Sequence, residues 1–84
     1  MPTGIQIQNG ANVQHFYTAA DKNNANNVVF SGNLDPGEVS PPFDLVAGAD
    51  GRGIVSVAQA GEVGVTIFVE GDNHSLVIKE QTEQ

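Results

Sequence analysis

A chain of 84 residues is one domain at most, 1–84, and at this size folding buries only roughly 60% of the surface the unfolded chain exposes. With no cysteine, disulfide staples and cysteine-based zinc sites are excluded, so stability falls on apolar packing or on association through sheet edges. Ten acidic residues against three basic ones give a net charge of −7, and Lys22, Arg52 and Lys79 are scattered, which argues against nucleic acid or an anionic lipid surface as partner.

The opening MPTGIQIQNG has neither a basic n-region nor a long apolar run. That fits the cytoplasm or release without a signal peptide, and no later stretch is apolar for long enough to predict a transmembrane segment. Ile5 and Ile7 alternate with Gln6 and Gln8, the period of a half-buried strand. Asn9-Gly10 then predicts a tight turn, because both residues tolerate positive φ. Residues 13–18 read as a second strand whose two faces both mix polar and apolar groups, so its inner face is not assigned.

Residues 19–27, AADKNNANN, are too polar to pack and read as a loop before a third strand at 28–34. Asp35-Pro36-Gly37-Glu38 has the proline and glycine of a type II turn. Pro41-Pro42 cannot donate ladder hydrogen bonds, so the strand expected at 43–47 is an edge. After the flexible GADGRG come strands at 54–58 and 63–70. In the second, Val63, Val65, Ile67 and Val69 share one face, which makes it the expected central strand. Gly71-Asp72-Asn73 then closes a hairpin into a last strand at 76–79, and a polar tail follows at 80–84. Val65, Ile67, Leu76 and Ile78 are the expected core. Seven short strands with no helix-length pattern predict an all-β, antiparallel two-sheet β-sandwich, with a small barrel as the alternative.

No catalytic constellation is present: there is no Gly-x-Ser-x-Gly elbow, no phosphate-cradling loop and no His-Glu-x-x-His. DKNNAN opens like a calcium loop but has Ala25 at its fifth position, Asn26 in place of the glycine at its sixth, and no carboxylate at its twelfth. The expectation is a non-enzymatic protein without cofactor or metal. Asn73-His74-Ser75 is an N-glycosylation sequon of the kind that Asn-rich chains produce by chance.

Topology carries the stronger signal. In an antiparallel sandwich alternate loops gather at one end, so 19–27, 48–53 and 70–74 should share a rim. That rim would hold Asp21, Asn23, Asn24, Asn26, Asp50, Arg52, Asp72, Asn73 and His74, with Tyr17 at the strand end just below it. Of these, Tyr17, Asn24, Asp50, Arg52, Asp72, Asn73 and His74 are the expected binding residues. Carboxylates, amides, a guanidinium and an aromatic ring are the groups that grip sugar hydroxyls and stack on sugar faces.

The segment 61–77, GEVGVTIFVEGDNHSLV, resembles the central hairpin of the actinoporin-like β-sandwich family, which includes sea-anemone pore formers and fungal fruit-body lectins. IQIQN at the start is similar to their first strand. The resemblance covers about a quarter of the chain and implies a sandwich with glycan or membrane-surface recognition. It carries over no individual residue, because the chain is much shorter and lacks the Trp- and Tyr-rich headgroup site.

Three functions follow as expectations. The first is a lectin-like domain taking a glycan or small polar ligand at the loop rim. The others are a membrane-active, toxin-like sandwich working as an oligomer, and a structural or interaction module joining partners through the edge after Pro41-Pro42. Self-association into a homo-oligomer is expected in each case, because a thin core gains from a buried sheet edge.

Overall fold

The computed structural model describes residues 2–60 and 64–79, so Val63, part of the 59–62 turn and the 80–84 tail lie outside the description. The described chain is all-β without a helix, in six strands: β1 (Gln6–Asn9), β2 (His15–Asp21), β3 (Asn27–Leu34), β4 (Gly53–Gln59), β5 (Val65–Val69) and β6 (Ser75–Ile78). They form two sheets, β1-β6 and β3-β2-β4-β5. Among the described residues there is thus no helix long and apolar enough to cross a membrane.

The expected strand at 43–47 is replaced by an irregular segment that runs antiparallel along β1, touching it at the isolated bridges Gln8–Val39 and Ile5–Phe43. Pro41-Pro42 sits between the two bridges and cannot donate to a ladder. Ser40 repairs the gap. Its amide donates to the Ile7 carbonyl at 2.8 Å, and its hydroxyl accepts the Ile7 amide at 3.0 Å.

The smaller sheet also departs from an antiparallel plan, since β1 and β6 are parallel, with Gln6 opposite Ser75 and Asn9 opposite Ile78. Parallel neighbours need a crossover, and here the intervening chain supplies it. The 71–73 turn is therefore no hairpin: it carries the chain from the larger sheet to the smaller. Asn9-Gly10 is no hairpin turn either, because the Gly10 amide donates to the Ile78 carbonyl and β2 begins in the other sheet.

The larger sheet is antiparallel throughout, and its central strands are β2 and β4, not β5. Alternation on those two strands points Tyr17, Ala19, Val55 and Val57 inward to meet Ile5, Ile7, Phe43 and Leu45. β5 is an edge. Its inward row runs from Val65, 41% exposed, through half-buried Ile67 to buried Val69, so the expectation that Val65 is core is corrected. Leu76 is half-buried and Ile78 buried. A two-stranded layer covers the middle of a four-stranded one and leaves part of the edge strand uncovered.

Gly53, where β4 begins, is a packing requirement. A Cβ there would lie 2.9 Å from that of Leu45 and 3.1 Å from Pro2 Cγ. The β2–β3 hairpin turns through Ala25 at φ 53° and Asn26 at φ 59°. Asparagine tolerates that region, whereas alanine is strained there by about 1–2 kcal/mol. Replacing Ala25 with Gly is expected to raise the unfolding free energy by about 0.5–1 kcal/mol, after the greater flexibility of unfolded glycine is subtracted. A urea midpoint that falls on this change would place residue 25 outside the left-handed region.

Candidate functional site

Three loops and the start of the chain meet at one end of the sandwich. The β4–β5 pairing sets Gly53 opposite Val69, which brings 48–52 beside 70–74. The β2–β3 loop joins them through Asn23, whose side-chain amide donates to the Val46 and Arg52 carbonyls at 3.0 and 3.3 Å. Beneath it the buried carboxylate of Asp21 accepts the Asn23 and Val46 amides at 3.0 and 2.9 Å, tying β2 to the segment that follows the prolines. Thr3 closes the far side: its amide donates to Asp72 Oδ1, and its carbonyl accepts the Asn73 amide.

The residues expected to bind divide on this frame. Tyr17 is removed from the rim. It is fully buried, and its hydroxyl donates to Asn9 Oδ1 at 3.0 Å, so its ring offers no stacking face to a ligand. Strand alternation turns it into the core, where its length carries the hydroxyl toward β1. Asn24 is exposed on the β2–β3 loop. Asp72, Asn73 and His74 are exposed but shape the turn. Asp72 holds Thr3, Asn73 sits at φ 60°, and His74 Nε2 lies 2.6 Å from the Glu70 carbonyl, which it meets as a donor.

Asp50 and Arg52 form the rim's charged pair. Arg52 Nε and Nη2 lie 2.9 and 2.8 Å from Asp50 Oδ2, and the Arg52 amide donates to Asp50 Oδ1 at 3.1 Å. That backbone amide first, and then the guanidinium, hold the Asp50 carboxyl below its ordinary range. Gly51 at φ 82° lets the loop double back to place them together.

The residue missing from the sequence reading is Phe68. It is 58% exposed on β5, and the Arg52 guanidinium carbon lies 5.4 Å from its ring centroid. The signal was there: the alternation that turns Ile67 and Val69 inward turns Phe68 outward. Ile54 faces Phe68 across the β4–β5 ladder.

The rim is open, with no enclosed pocket among the described residues. No three His, Asp or Glu side chains gather there closely enough to hold a metal ion, again among the described residues. Comparison with protein-family models, curated proteins and solved structures gives no match for this chain. The rim's own groups are an exposed ring, a planar cation over it, and a carboxylate fixed to that cation.

Proposed function

We propose that the chain is a non-enzymatic, lectin-like domain that takes a carbohydrate at the rim. The observation that carries this reading is the cluster of Phe68, Arg52 and Asp50. A sugar ring has an apolar C–H face and a hydroxyl edge, and the cluster offers a partner for each. Phe68 supplies an aromatic surface outside the core, and Arg52 spends two of its five donors on Asp50, leaving the rest for hydroxyl oxygens. Asp50 accepts from a neighbouring hydroxyl, and Asn24, on the adjoining loop, extends the polar edge. An open rim suits a terminal sugar of a larger glycan better than an engulfed small molecule.

The test is a glycan array read with wild type, Arg52→Ala, Phe68→Ala and a control at the other end of the sandwich, Glu38→Ala. Retention of a defined sugar class is expected. Arg52→Ala should weaken it by about 1–3 kcal/mol, the range for a lost charge-assisted hydrogen bond, with Glu38→Ala unchanged. Equal loss from Glu38→Ala, or retention untouched by Arg52→Ala, would remove the rim from the binding account.

A further inference from the structure

We propose that the outer edge of β3 docks a second copy of this chain, antiparallel and about a two-fold axis, making one eight-stranded sheet from two four-stranded ones. Among the described residues β3 ends the larger sheet, so alternate backbone amides and carbonyls along it face away from β2. Edges are normally blunted by charge, proline, brevity or a bulge. β3 is eight residues long, NVVFSGNL, without a charged residue or a proline. Its one such device is a bulge at Val29, opposite Ala19 and Ala20, which leaves residues 30–34 in regular register.

The other edges are poorer. β5 has five residues and runs into Glu70, β6 has four and runs into Lys79, and Pro41-Pro42 interrupts the segment along β1. The edge expected from sequence to join partners is thus the one its prolines blunt.

The occupant follows from charge. In a chain of net charge −7, two copies meet most easily along an uncharged strand. The ends of β3 are oppositely marked. Exposed Lys22 lies in the loop before Asn27, while Asp35 and Glu38 lie in the turn after Leu34. Antiparallel pairing sets the Lys22 loop of each copy beside the acidic turn of the other, twice over by symmetry, whereas parallel pairing would set acid against acid. Exposed Val28 gains cover in the same step. Because the Asn27 end of β3 is the rim end, the two rims would face opposite ways, a consequence that rests on the carbohydrate reading although the pairing does not.

Sedimentation equilibrium tests it. Wild type is expected at twice the 8.8 kDa chain mass, and a Ser31→Lys/Asn33→Lys double variant at the single mass. Both side chains are exposed on β3, so the fold should hold, while the added charges meet near the two-fold axis. Thr66→Lys, the matched change on β5, should leave the dimer intact. A wild-type monomer up to about 1 mM, a double variant that stays dimeric, or dissociation by Thr66→Lys instead would each overturn the proposal. Should the double variant fail to fold, wild-type hydrogen exchange decides: β3 amides should gain protection as concentration rises, and concentration-independent exchange there refutes the pairing.

Discussion

Replacing Asn9 with Ala is expected to lower the unfolding free energy by about 3–4 kcal/mol, a large fraction of the stability of a domain this small. Asn9 is 1% exposed, and all four of its side-chain hydrogen-bonding positions are used. Nδ2 donates to the Val13 and Leu34 carbonyls at 2.9 and 2.8 Å. Oδ1 accepts the Ala11 amide at 2.8 Å and the Tyr17 hydroxyl at 3.0 Å. Gln59 extends the network, its amide donating to the Tyr17 hydroxyl at 3.3 Å and to the Lys79 carbonyl at 3.4 Å. Groups on or next to β1, β2, β3, β4 and β6 are thereby fixed to one another across the sandwich. Truncation strands several of them in the interior, where each unsatisfied group costs about 1–3 kcal/mol before relaxation. Urea unfolding measures the loss, and a change below about 1 kcal/mol would mean that the two sheets do not meet through Asn9.

Asp21→Ala is expected to cost about 2–3 kcal/mol for a related reason, since hydrogen bonds to a charged group are the stronger ones. Its carboxylate is 1% exposed at the end of β2 and holds the amides of Asn23 and Val46, which belong to separate parts of the rim. Asp21→Asn should recover only part of the loss. Its oxygen can serve one amide, but its NH₂ group then faces the other. The loss should also appear locally, as faster hydrogen exchange at Asn23 and Val46 than global unfolding accounts for. Full recovery by Asn would show that one of the two bonds is dispensable.

Strand content was legible in this sequence because period-2 alternation and turn residues are local properties. Five of the expected segments reappear as β1, β2, β3, β4 and β6 with ends shifted by a few residues, and the last part of 63–70 reappears as β5. Pairing was not legible. Whether residues 75–78 return to β5 or lie parallel to β1 depends on contacts with the opening residues, such as the Gln6 amide on the His74 carbonyl at 2.8 Å. The apolar run Val63, Val65, Ile67, Val69 reads as central because alternation reports which side chains share a face and says nothing of the strand's place in the sheet.

The rim was legible as three loops at one end, since strand parity alone puts them there. Its chemistry was less so. Tyr17 looked like a rim aromatic because it stands near a strand end in the sequence, yet it lies four residues before the end of β2, on the inward face. Phe68, on the outward face of an edge strand, is the ring beside Arg52. The buried uses of Asn9 and Asp21 had no local signal, because Asn and Asp are also the commonest surface-loop residues.

The most direct test is a backbone amide NMR titration with the sugar that the array retains best. The carbohydrate reading predicts saturable shifts confined to 22–26, 48–54 and 67–74, with the Phe68 ring protons moving alongside and Arg52→Ala moving the titration midpoint to higher sugar concentration by roughly 5- to 150-fold. Shifts centred on 9–12 and 35–38 at the opposite end, or no saturable shift at any rim amide, would contradict it.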